Sequence, residues 1–238
     1  MPFLFGFDPT FVILIPALIF AMWAQWKVQH TYQKFSQVRA ANGRTGREMA
    51  LAIMSRNGIG DVAVEEVGGM LSDHYDPRVK KVRLSAENYE GASLASIAVA
   101  AHEVGHVLQH AKGYAPLMVR SAIAPAAGFA TTLAFPLFII GIFISYAAHG
   151  ISPTARFFMD AGIVLFSGAL FFQLITLPVE FDASRRALAQ LTETGSIAPQ
   201  EVAGAKKVLD AAALTYVAAA AMAALQLVRL VLLRNSRR

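Results

Sequence analysis

Residues 100–110 read AAHEVGHVLQH, with His102, His106 and His110 equally spaced and Glu103 directly behind the first. Residues four apart on a helix share a face, so His102 and His106 can reach a single ion. Glu103 then stands beside that ion, placed to take a proton from water, and the pattern is the H-E-x-x-H zinc signature. The surrounding SLASIAVAAHEVGHVLQHAKG (93–113) predicts a helix closed by Gly113, with Ala98, Ala100 and Ala101 ahead of the motif and Gly105 inside it. His110 fails as a third ligand on helical rise. It lies about 12 Å along the axis from His102, whereas zinc–nitrogen bonds are about 2.0–2.1 Å. Val107, Leu108 and Gln109 offer no break that would fold it back. His110 is therefore assigned to packing or to support behind the ligands.

The third ligand must come from elsewhere. With two histidines, a catalytic zinc commonly takes a glutamate. Glu180, in LPVEFDASRRA (177–187), follows an apolar run, where a carboxylate is costly unless paired or coordinated. Two membrane crossings between His106 and Glu180 return the chain to the side it left. The alternative for Glu180 is an ion pair with Arg185 or Arg186.

Of the 238 residues, 55% are hydrophobic and only 16% charged. Soluble domains carry about a quarter charged residues, and here the deficit is concentrated in long apolar runs. With no cysteine, thiolate-ligated zinc, iron–sulfur clusters and disulfides are excluded. The net charge of +5 fits the Lys/Arg excess that flanks membrane spans. No aromatic-basic patch suggests nucleic acid. The lipid bilayer is the expected surrounding.

Four runs are long enough to span, given the need for about 20 helical residues. The first covers 11–26 and ends at Trp23 and Trp26, an aromatic belt pair; without a basic n-region or small-residue cleavage site it reads as a retained anchor. The second runs from about Ser121 to Ala147, with Pro125 and Pro136 inside. The third runs from Phe157 to Leu177 and is expected to stop at Pro178. The fourth is Ala-rich, Ala211 to Leu233. The chain is accordingly divided as anchor 1–27, catalytic portion 28–120, helical hairpin 121–177, third-ligand segment 178–210, and last membrane helix with basic tail 211–238, acting as one functional unit.

Inside 28–120, Thr45 and Glu48 form a capping box for a helix over 45–58 ending at Asn57-Gly58. DVAVEEV (61–67) alternates as a strand, and LSDHYDPRVKKVRLS (71–85) predicts a hairpin turning at Asp76-Pro77-Arg78. This portion carries eleven Lys and Arg, the 148–156 connection only Arg156. Positive-inside reasoning puts 28–120 and 178–210 in the cytoplasm, whereas the terminal RNSRR opposes this if the fourth run crosses fully. The fold class is a mainly α integral membrane protein of about four membrane helices, with a small α+β zincin-like portion that carries the hairpin and the HExxH helix.

HEVGHVLQH, followed after a membrane hairpin by VEFDASRRAL and preceded by LSDHYDPRVKKVRLSAENY, resembles the bacterial membrane neutral zinc metallopeptidases. That family is similar to a compact form of the gluzincin membrane proteases, which include heat-shock and prenyl-protein endopeptidases. The resemblance implies a zinc-dependent endopeptidase in the bacterial inner membrane, with Zn2+ on His102, His106 and Glu180 and with Glu103 as general base. The implied substrate is a peptide or protein, membrane proteins included. The wider gluzincin pattern is E-x-x-x-D, and here the fourth position after Glu180 is Ser184. Asp182 lies about 200° round the helix from Glu180, so Ser184 and His110 stand as the candidates behind the ligands. His74 and Tyr75, with Tyr216, are candidate donors to the oxyanion or substrate, and the 71–85 hairpin offers an edge strand for an extended peptide. Asp73 to Asp76 read equally as a turn held by aspartates. His30 and His149, near membrane boundaries, carry no assignment. The non-enzymatic alternative is a membrane scaffold or chaperone with an inactive zinc site. A second intramembrane peptidase class, with an N-P-D-G ligand, is disfavoured because that motif is missing.

Overall fold

The computed structural model describes residues 9–69, 72–193 and 195–236. After a 3-10 turn over Pro9–Leu14 come α1 (Ile15–Ser36), α2 (Gly46–Arg56), β1 (Ala63–Val67), β2 (His74–Asp76), β3 (Lys81–Ser85) and α3 (Ala86–Glu90). They are followed by α4 (Leu94–Ala111), α5 (Ala115–Ala147), α6 (Pro153–Glu193) and α7 (Val202–Asn235). Among the described residues, four helices are long and apolar enough to cross a membrane: Pro9–Ser36, α5, α6 and α7. The protein is a mainly α membrane protein with a small α+β portion. Leu71 of the expected hairpin, and Arg237 and Arg238 of the basic tail, lie outside the described residues.

The membrane helices are longer than the apolar runs. α5 starts at Ala115 rather than Ser121, and α7 extends from Val202 to Asn235 rather than from 211 to 233. The stop expected at Pro178 does not occur, since α6 continues unbroken to Glu193. A proline removes one ladder bond, but beyond it Val179, Ala183, Ala187 and Leu191 form a buried stripe at spacing four. That stripe packs a further four turns into the core, which outweighs the single lost bond.

The chain divides into two compact units. One comprises Met1–Trp23, Val119–Thr176 and Tyr216–Arg238. Its α5 and α6 approach closely through small residues. A Cβ on Gly141 would stand 2.7 Å from Met159 Cγ, and one on Gly162 2.7 Å from the Ala134 carbonyl. Small residues at crossing points are how membrane helices gain contact where lipid gives no hydrophobic drive. Arg234 near the end of α7 is bidentate to Asp160 near the start of α6, at 2.9 and 3.0 Å. Phe129, Val164 and Phe171 remain on exposed faces, as lipid-facing side chains do.

The second unit comprises Ala24–Met118 and Leu177–Thr215. α4 lies at its centre, buried from Leu94 to Gln109 on nearly every face, as a helix that is apolar all round must be. Ser93 caps it, its hydroxyl accepting from Ser96 N–H at 3.0 Å, and Gly113 takes φ +61 just past its end. α2 has both bonds of the Thr45–Glu48 capping box. The sheet order is β1-β3-β2, with β1 parallel and β2 antiparallel to β3. β2 is thus an edge, its register pairing Tyr75 with Val82. Met49, Ile53, Val82, Leu84, Ile97, Val104 and Leu191 belong to one apolar core.

Candidate metal centre

α4 carries His102 and His106 one turn apart, their rings edge to face with centroids 4.9 Å apart. Glu180, on the second half of α6 and only 2% exposed, places Oε2 3.2 Å from His102 Nε2 and 3.5 Å from His106 Nε2. Donor atoms of the three residues all lie within 4.8 Å of one another.

Gly105 makes this convergence possible. A Cβ there would stand 2.4 Å from the Ala183 carbonyl oxygen and 3.1 Å from Ala183 Cα. α4 and α6 therefore touch backbone to backbone between the two histidines, and Glu180 and Ser184, on either side of Ala183, are carried to the histidine face.

The donor set fits zinc. Two donors of a tetrahedral ion with bonds of about 2.0–2.2 Å sit about 3.3–3.5 Å apart, close to the separations across Glu180. Both histidines also turn Nε2 inward, because Nδ1 is occupied. His102 Nδ1 meets Ser184 Oγ at 3.1 Å, and His106 Nδ1 meets Gln109 Oε1 at 3.0 Å. Gln109 Nε2 donates to the Val179 carbonyl at 2.7 Å and to Asp182 at 3.0 Å. With its amide hydrogens so committed, Gln109 turns a pure acceptor to the ring, which fixes the proton on His106 Nδ1 and the lone pair on Nε2. Asp182 is itself held by Arg185 and Arg186.

These contacts show how the histidines are oriented without the aspartate of the E-x-x-x-D pattern. Ser184 occupies that position and bonds His102. Asp182 cannot replace it directly, but it reaches His106 through Gln109. Sequence reading passed over Gln109 as helix filler. Its signal was a carboxamide three residues after a candidate ligand on a largely apolar helix, a polar group that burial obliges to find partners.

Glu103, 7% exposed, accepts a hydrogen bond from the Tyr75 backbone N–H. Burial pushes its carboxyl up from the ordinary 4.5 to about 7; the His102 charge opposes this and the Glu180 carboxylate adds to it.

The remaining candidates are engaged elsewhere. Tyr75 spends its hydroxyl on His110 Nδ1, 2.8 Å away, and burial pushes this phenol up to about 12. His110 is therefore Tyr75's partner, the two ring centroids 5.9 Å apart. The His74 ring lies 2.8 Å from the Ser72 carbonyl and 3.3 Å from an Arg83 nitrogen. Asp73 accepts from Ser85 N–H at 2.8 Å and from Asn88 at 2.9 Å, and Asp76 accepts from Arg78. These aspartates hold the hairpin. Tyr216 falls in the other unit.

Residues 10–235 match the family model described as "Putative neutral zinc metallopeptidase". The "Putative membrane protease YugP" of Bacillus subtilis (strain 168) is 47% identical over 221 residues, 93% of this chain and 94% of that protein. No solved structure matches. With residues 10–235 inside the family model, and a relative 47% identical over nearly its whole length, the chain belongs to this family.

Proposed function

We propose that the protein is a membrane-embedded, zinc-dependent endopeptidase with His102, His106 and Glu180 as metal ligands and Glu103 as general base. The observation that carries this reading is the meeting of three donors at zinc-ligand separations, His106 and Glu180 buried and His102 half-buried, with a fourth, acidic side chain one residue from the first of them. A bound zinc supplies Lewis acidity, which polarises a scissile carbonyl and acidifies a water. The chain's own residues do the rest. Glu103 accepts the attacking water's proton on its carboxylate and returns it to the leaving amide nitrogen. Ser184 and Gln109 keep both Nε2 lone pairs aimed inward.

β2 supports a peptide as the substrate. It is a sheet edge, and the Tyr75 N–H points at Glu103 rather than at β3. An extended chain laid along that edge would run past the general base, bound by backbone hydrogen bonds that need no particular side chain. In this reading residues 28–120 and 178–210 face the cytoplasm of a bacterial inner membrane. The pairing of Arg234 with Asp160 takes one cation out of the tail whose charge opposes that orientation.

The test is hydrolysis of casein or a detergent-solubilised membrane protein by the purified chain. Cleavage should cease on chelation, return with zinc, and be lost in Glu103→Gln at full zinc load. Equal turnover by wild type and Glu103→Gln would remove Glu103 from the mechanism, and no chelator-sensitive cleavage by the wild type would leave the scaffold reading in its place.

A further inference from the structure

Away from the metal centre, α1 and α7 enclose a groove of about 390 Å³. Lys27, His30 and Lys34 line it from α1, Lys207 and Asp210 from α7, with the buried Thr31 and Ala211 behind them. The spacing on each helix is that of a single face: 27, 30, 31, 34 and 207, 210, 211. We propose that this groove binds a phosphate anion, the chemistry shared by an anionic phospholipid headgroup and free phosphate.

The charge is unbalanced in one direction. Asp210, the acidic residue of the lining, is held by Lys206. Among the described residues no ion pair engages Lys27, Lys34 or Lys207; Lys34 lies 5.8 Å over the Phe35 ring. His30 stacks on Trp26, centroids 5.2 Å apart and planes 13° from parallel, which sets its imidazole at the same rim. Cations beside a span are usual. A cavity that gathers three from two helices, its one lining carboxylate among the described residues already paired with Lys206, is a binding arrangement.

The location favours lipid as the source. Exposed apolar residues run along α1 through Leu18, Ile19 and Met22 to Trp26, and the next residue is Lys27. On α7 the order is reversed, with Lys206 and Lys207 just before the apolar run from Ala211. Both helices thus change from apolar to cationic where they line the groove. The polar zone of a bilayer leaflet is about 5–8 Å deep and Lys27 to Lys34 spans about 10 Å of helix, a difference a flexible lysine stem covers.

The test compares the full chain in neutral detergent with two triple variants of equal charge change. One is Lys27→Gln/Lys34→Gln/Lys207→Gln in the groove; the other is Arg44→Gln/Arg56→Gln/Lys112→Gln outside it. Native mass spectrometry counts phosphatidylglycerol against phosphatidylcholine, and calorimetry follows inorganic phosphate. Wild type and the outside triple should prefer phosphatidylglycerol. The groove triple should lose that preference by roughly a hundredfold, since each lysine near an anionic surface contributes about fivefold. Lysine-dependent binding of inorganic phosphate but not of the lipid would keep the site and assign it to free phosphate. An unchanged preference in the groove triple, or an equal loss in the outside triple, would overturn the proposal. Single Lys207→Gln, expected to lose about fivefold, provides the reading if the groove triple does not fold.

Discussion

Gln109 stands between a metal-ligand candidate and an aspartate: its Oε1 lies 3.0 Å from His106 Nδ1, and its Nε2 lies 3.0 Å from Asp182 Oδ2. The helix that presents His106 thereby also presents the group that selects its tautomer. Groups behind metal ligands typically contribute 10–100-fold in metal affinity or activity. Gln109→Leu should accordingly weaken zinc about 10–100-fold, measured by competition with a zinc-sensitive dye. Undiminished affinity would show that His106 needs no such partner.

Ser184 does for His102 what Gln109 does for His106, with a hydroxyl that gives or takes a proton as needed. Ser184→Ala should weaken zinc by about tenfold. Ser184→Asp, which restores the residue of the wider E-x-x-x-D pattern, should bind zinc at least as tightly as wild type in the same competition.

Gly105→Ala tests the backbone contact that joins α4 to α6. The new methyl would meet the Ala183 oxygen at 2.4 Å, so the helices must part. Overpacking of this kind costs about 1–3 kcal/mol, and here it also moves Glu180 away from the histidines. A lower melting temperature together with lost zinc is expected. Wild-type zinc affinity in this variant would show that the close approach is not what assembles the site.

Glu103 makes the metal-free protein pH-sensitive. Its folded pKa of about 7 lies above the free value of 4.5, so between those values the folded chain binds more protons than the unfolded one. Stability therefore falls as pH rises through that window, by up to about 3 kcal/mol. Chelator-stripped Glu103→Gln should match wild type near pH 4.5 and melt higher above pH 7. Parallel melting curves across that range would contradict the buried, costly carboxylate.

Much of this was legible in the sequence because it is local. The capping box at Thr45 and Glu48, the Ser93-to-Gly113 helix and the hairpin turn each follow from residues within a few positions of one another. The apolar runs revealed the membrane helices but not their lengths. At Pro178 a local rule predicted a stop, and the buried stripe from Val179 to Leu191, whose worth depends on a distant helix, prevailed. Glu180 could be singled out because a carboxylate after an apolar run is costly. The Gln109–Asp182 link could not be read, since a helical Gln takes on meaning only when its non-local partners are in place.

The account rests most heavily on Glu180 completing the metal site, and zinc binding by Glu180→Ala measures that directly. Wild type should bind one zinc tightly. The variant, left with two imidazoles, should lose stoichiometric zinc at the same free-metal concentration while its melting curve stays cooperative. Stoichiometric, equally tight zinc in Glu180→Ala would contradict the account.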